Sequence, residues 1–102
     1  MAEMYLIQIL LPVIGPQSDR PDPYEMLREE LTSRFGGMTF HKNAPAEGLW
    51  ANDDDVEKDA IIIAEVMIDD LHRDWWHAYR KALEDRFQQE EIVIRALPMA
   101  RL

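Results

Sequence analysis

The run Ile61-Ile62-Ile63-Ala64-Glu65-Val66-Met67-Ile68 constrains this chain more than any other segment. Its density of β-branched residues marks a strand. A strand with one face in water alternates apolar and polar residues. This one does not. Ile62, Ala64, Val66 and Ile68 make one apolar face, while Ile61, Ile63 and Met67 make a second, broken only by Glu65. Helices can cover one face of a small sheet, so the other face needs a different cover. A second copy of the chain, a ligand, or both would supply it.

The rest of the chain supplies the partners of that strand. Tyr5 to Leu11 reads as a first strand ended by Pro12, again apolar on both sides apart from Gln8. A loop punctuated by Gly15, Pro16 and Pro21 follows, from Ile14 to Pro21. Asp22 then caps a helix, Pro23 suits its first position, and Glu25 completes a capping-box-like pair with Asp22. Tyr24, Leu27, Leu31 and Phe35 form its apolar stripe, and Gly36-Gly37 ends it. Met38 to Asn43 begins a second strand, interrupted at Ala44-Pro45-Ala46 and resumed at Gly48-Leu49-Trp50, which suits a bulged edge. After a turn at Asn52 to Asp55, the long strand from Val56 to Ile68 pairs back on it. Asp70 is the expected cap of a second helix, whose buried stripe is Trp76, Tyr79, Leu83 and Phe87, with Trp75 on the flank. Gln88-Gln89-Glu90 loosens the chain before a last strand, Glu91 to Leu97.

The order is β-α-β-β-α-β. Right-handed, short connections fold it into an α+β, ferredoxin-like domain spanning residues 1–102: a four-stranded antiparallel sheet with both helices on one face. The expected strand order is last, first, third, second. If the helices cover Ile7, Ile9, Ile62, Ala64, Val66, Ile92 and Ile94, four polar groups stand on the open face. These are Gln8, Glu65, Arg95 and, if Phe40 turns toward the helices, His41. A bulge near Pro45 would shift the pairing and turn His41 the other way.

Composition narrows the partners. The 102 residues carry 20 acidic and 11 basic groups, a net charge of −9, which argues against nucleic acid or an anionic membrane as the partner. There is no cysteine, so disulfides, thiolate nucleophiles and cysteine-held metals are excluded. The amino-terminal Met1-Ala2-Glu3-Met4 lacks a basic leader region, and the apolar run behind it ends at Pro12, too early for a membrane span. A soluble, cytoplasmic protein is expected.

Other constellations read as structural. His72 and His77 are spaced poorly for two ligands on one helical face, so no metal site and no cofactor is expected. Asn52-Asp53-Asp54-Asp55 lacks the alternation, glycine and distant glutamate of a calcium loop. Ser18 and Ser33 sit in no nucleophile elbow, and Gly36-Gly37 follows a helix where a phosphate loop would follow a strand. In Glu47-Gly48-Leu49-Trp50, an aromatic beside a glycine at the sheet edge either walls a pocket or caps the core, which makes Trp50 a candidate ligand contact.

Phe35-Gly36-Gly37-Met38-Thr39, Gly48-Leu49-Trp50 and Phe87-Gln88-Gln89-Glu90 together resemble small bacterial proteins of ferredoxin-like fold, a resemblance that brings no activity with it. More distantly, the order of elements is similar to the dimeric α+β-barrel superfamily. That superfamily includes small monooxygenases, isomerases and stress-responsive proteins that pack sheet against sheet. It has no universal catalytic motif, so no residue role carries over.

Three functions remain in view. The first is a homodimer joined through its open sheet faces, with an apolar pocket for a small anionic or aromatic ligand. Arg95 would hold the anion, with Gln8 and Glu65 orienting it. The second is an enzyme of the α+β-barrel type with Glu65 or His41 as general base. The third is a regulatory module whose apolar face docks on another protein.

Overall fold

The computed structural model describes residues 4–15, 21–51 and 56–102, the stretches 42–51 and 56–60 by backbone alone. Its elements follow the chain as β1 (Met4–Pro12), α1 (Pro23–Phe35), β2 (Thr39–Ala51), β3 (Val56–Ile68), α2 (Arg73–Arg86) and β4 (Val93–Met99). All four strands form one antiparallel sheet in the order β2-β3-β1-β4. This is the α+β, ferredoxin-like arrangement, with the two strands richest in isoleucine at its centre.

Side-chain alternation along those central strands decides which face the helices take. Ile7, Ile9 and Leu11 of β1 and Ile62, Ala64, Val66 and Ile68 of β3 are buried. They meet Leu27 and Leu31 of α1 and Trp76, Tyr79 and Leu83 of α2 in one apolar cluster. Among the described residues the core contains no buried polar or charged side chain. Burying one such aliphatic side chain contributes roughly 1.5–3 kcal/mol, so this layer supplies most of the driving force for folding.

Local chemistry sets the element boundaries. Asp22 caps α1 by accepting a 2.9 Å hydrogen bond from the Tyr24 amide. Glu25 pairs with Arg28 at 3.2 Å, so the expected capping box is half made. Gly36 closes the helix at φ 83°, a left-handed conformation that costs glycine nothing. The hydroxyl of Tyr24 donates to the Pro12 carbonyl and accepts from the Ile14 amide, fastening the end of β1 to the start of α1. Burial pushes its phenol up from the usual tyrosine range. The two helices are tied by Glu30, which takes a bidentate pair from Arg86 at 2.6 and 2.9 Å and a 3.0 Å bond from the Tyr79 hydroxyl.

Several boundaries differ from the sequence expectation. His72, with no side-chain cap bond, occupies the N-cap of α2 in place of Asp70, whose carboxylate lies 3.5 Å from His72 Nε2. Two extra residues between Asp70 and the helix put that carboxylate beyond reach of the first-turn amides. The last strand begins at Val93 and runs to Met99, because Glu84 Oε2 takes the Ile92 amide at 2.9 Å and holds that residue out of the ladder. β2 is one strand with a register shift between His41 and Ala46, the bulge that Pro45 demands. Beyond Ile61 the β2–β3 pair continues without β1 as a two-stranded ribbon. Of the expected loop, Pro16 to Arg20 lie outside the described residues, as do Asn52 to Asp55. Among the described residues no helix is long and apolar enough to cross a membrane.

The two caps can be told apart by substitution. Asp22→Ala should cost about 1 kcal/mol and lower the melting temperature by about 4–8 °C. Asp70→Ala should stay within about 0.5 kcal/mol of the parent. Thermal denaturation followed by circular dichroism checks both.

Candidate functional site

The helix-free face of the sheet carries a row of four hydrogen-bonded polar side chains, one from each strand. Gln8 of β1 lies directly opposite Glu65 of β3 on one side and Arg95 of β4 on the other. Directly paired residues in a sheet point the same way, so all three stand on the open face. His41 sits opposite Ile63, the diagonal neighbour of Glu65, and joins the same face. The chain of bonds then runs from edge to edge. Arg95 Nε donates to Gln8 Oε1 at 2.7 Å, and Gln8 Nε2 donates to Glu65 Oε2 at 2.6 Å. The His41 imidazole shares a 2.9 Å bond between Nε2 and Glu65 Oε1.

Both carboxylate oxygens of Glu65 are therefore occupied, and its side chain is only 18% exposed. The hydrogen bond from His41 is the foremost influence holding this carboxyl below the ordinary glutamate range. Burial pulls the other way, and the Gln8 bond again favours the ionised form. Glu65 is thus a fixed carboxylate anchored in the sheet. Gln8 works as a relay: its carbonyl end faces the guanidinium and its amino end the carboxylate, the one amide orientation that suits both.

Apolar rows flank the polar one. Leu97, Leu6 and Met67 pair across three strands on one side, and Val93, Leu10 and Ile63 on the other. Met67, Val93 and Leu97 remain 48%, 45% and 40% exposed. Beside the row a groove of about 540 Å³ runs between this face and the segment after α1, lined by Glu65, Met67, Leu6, Phe35, Gly37 and Arg101 among others. A Cβ at Gly37 would meet nothing within 4 Å, so close packing does not require glycine there.

Of the residues singled out from sequence, Gln8, His41, Glu65 and Arg95 come together. Trp50 is placed by its backbone alone. Its backbone partner is Glu57, and Glu57 precedes Glu65 by 65 − 57 = 8 residues, roughly 26 Å along the strand. The groove and the part of Arg101 in it escape a reading of the sequence. Gly36-Gly37 is the available signal, and on its own it marks only the end of a helix. His72 and His77 are exposed, and among the described residues no group of three histidine, aspartate or glutamate side chains could hold a metal ion. Comparison with protein-family models, curated proteins and solved structures finds no match to this chain.

The row makes a signed prediction about acid stability. A carboxyl lowered in the folded state stabilises the fold above its unfolded value, near 4.5, and loses that contribution as pH falls through the folded value. Glu65→Gln should therefore flatten the acid limb of the stability curve, leaving the part due to Glu30, which Arg86 also holds low. Gln8→Glu should do the opposite, because two facing carboxylates repel and one is pushed up. Its stability should rise between pH 7 and pH 5 relative to the parent's. Urea denaturation from pH 7 down through the acid limb distinguishes the three chains.

Proposed function

We propose that this chain is a soluble homodimer, closed through its open sheet faces, that holds a small anionic or aromatic ligand beside the polar row. The observation that carries this reading is the row itself, four oriented polar groups set between two half-exposed apolar rows. A contiguous apolar surface of that kind calls for a cover. A few convergent polar groups in apolar surroundings are the usual makeup of a small-molecule site.

Each residue has a part. Arg95 spends Nε on Gln8, and among the described residues its two terminal nitrogens have no partner, which leaves a fork suited to a carboxylate or phosphate. Gln8 and Glu65 fix the direction of that fork. The groove lined by Leu6, Phe35 and Met67 offers the apolar body of the ligand a place to lie.

A second reading rests on the His41–Glu65 pair. A carboxylate that is kept ionised and bonded to an imidazole orients that imidazole as a general base. Glu65 itself, with both oxygens engaged and its proton affinity lowered, is the poorer base of the two. The reaction would be proton abstraction from an activated carbon acid or an aromatic substrate, with His41 as base and Glu65 as its positioning residue.

Native mass spectrometry of the protein purified from cells tests the first reading. The expected result is a dimer carrying additional small-molecule mass, which Arg95→Ala loses. A monomer would contradict closure of the open face, and a dimer that never carries ligand would remove the binding function. For the second reading, the recovered ligand should take up solvent deuterium at an acidic carbon in the presence of the parent protein. His41→Ala should reduce that exchange by about 100-fold or more, the usual contribution of a general base.

A further inference from the structure

The polar row has a direction, and that direction selects one way for two copies to pack. Its β4 end carries the cationic Arg95, and its other end carries the anionic Glu65 bonded to His41. Among the described strand side chains of this face, the fixed charges are Glu65 and Arg95, with the imidazole of His41 bonded to Glu65 and Arg101 lining the groove beside the row. The described face thus carries no excess of negative charge on a chain of net charge −9. A basic partner would have little to read here, whereas a second copy finds its own complement. The choice of packing rests on the face-to-face dimer of the proposed function.

Two identical sheets packed face to face are related by a two-fold axis lying in the plane between them. If that axis ran along the polar row, each strand would cover itself. Arg95 would face the partner's Arg95, and Glu65 the partner's Glu65. Like charges opposed in a desolvated interface are strongly unfavourable. If the axis ran diagonally, the two rows would cross, and each end would lie against the partner's apolar residues, leaving Arg95 without a counter-charge. If the axis runs along the strands, between β3 and β1, the sheet order β2-β3-β1-β4 places β4 over the partner's β2 and β1 over the partner's β3. Register then sets Gln8 over the partner's Glu65 and Arg95 over the partner's Thr39, since Thr39 is the β2 residue opposite Glu65.

We infer that the dimer axis runs along the strands, so that Arg95 of each protomer completes the Glu65–His41 site of the other. Stacked sheets lie about 10 Å apart, a gap that an arginine side chain largely spans. Of the terminal nitrogens left over by the Gln8 bond, one therefore reaches the carboxylate end of the facing row and the other stays open to an anionic ligand. The two contacts are equivalent by symmetry, and each site becomes composite. An anionic ligand bound by Arg95 lies against the partner's carboxylate–imidazole pair, across the dimer from its own.

Thiol cross-linking decides the axis, because the chain has no cysteine of its own and introduced thiols are unique. Val93 and Thr39 are exposed on this face at the β4 and β2 margins, and replacing them leaves Gln8, His41, Glu65 and Arg95 intact. A tagged Val93→Cys chain is mixed with an untagged Thr39→Cys chain and treated with a short bismaleimide. The expected result is a covalent heterodimer, with no covalent homodimer from either chain alone. A homodimer from Thr39→Cys alone overturns the inference in favour of the axis along the row. Absence of any covalent dimer, from chains that native mass spectrometry finds dimeric, overturns it in favour of another interface. A monomeric parent protein instead removes the face-to-face dimer itself, and is seen before any thiol is introduced.

Discussion

The hydrogen bond between Gln8 and Glu65 is the contact on which the open face depends. It joins the two central strands at their directly opposed positions, and it turns two isolated polar residues into a relay. Without it Arg95 would have nothing on β1 to point at, and Glu65 would meet only His41. A primary amide is the one common side chain that can accept from a guanidinium at one end while donating to a carboxylate at the other. A carboxylate there would repel Glu65, and an aliphatic residue would leave both neighbours in apolar surroundings. That is a physical reason for glutamine in a strand that is otherwise almost wholly apolar.

The opposite face supplies the rigidity this arrangement needs. Both helices are committed to it, and polar contacts at its margins hold them there. The Tyr24 hydroxyl fixes the entry to α1, Glu30 joins the helices through Arg86 and Tyr79, and Glu84 collects the chain before β4. The last of these bears directly on the site. By taking the Ile92 amide, Glu84 sets where β4 enters the ladder, and so which of its residues lies opposite Gln8. A one-residue slip would replace Arg95 with Ile94 or Ala96 on the open face and leave the row without its cation.

Most of the architecture was legible from alternation alone. Ile62, Ala64, Val66 and Ile68 could share only one face, and with Ile7 and Ile9 they named the side the helices cover. Gln8, Glu65 and Arg95 followed by parity, and Phe40 turning inward sent His41 outward. What sequence could not deliver was the order of contacts within the row. Which residues pair directly depends on register, which the flanking loops decide, and the bulge between His41 and Ala46 was visible only as a proline. The cap of α2 was misplaced for a related reason. Asp69 and Asp70 are both good capping residues, but the chain needs Leu71 and His72 to reach the helix before its amides become available. The groove was out of reach because it is made by residues distant in sequence, Phe35 to Thr39 and Arg101 among them, which no periodicity connects.

A polar row within an apolar surface also bears on why such a face would close in only one way. Apolar contacts are non-directional, and two flat apolar faces can slide or rotate against one another at little cost. A row of fixed charge cannot. In a single chain Glu65 is satisfied by Gln8 and His41 and Arg95 is exposed to solvent, so the row is tolerated. Once solvent is expelled, a misregistered arrangement leaves the Arg95 guanidinium buried without a counter-charge, and a buried charge left unpaired costs several kcal/mol. Only the arrangement that sets each cationic end against the facing anionic end restores what solvent had provided. In such a dimer the row would add little to affinity and a great deal to geometry, and the groups at the interface would be the same ones that a small anionic ligand would meet.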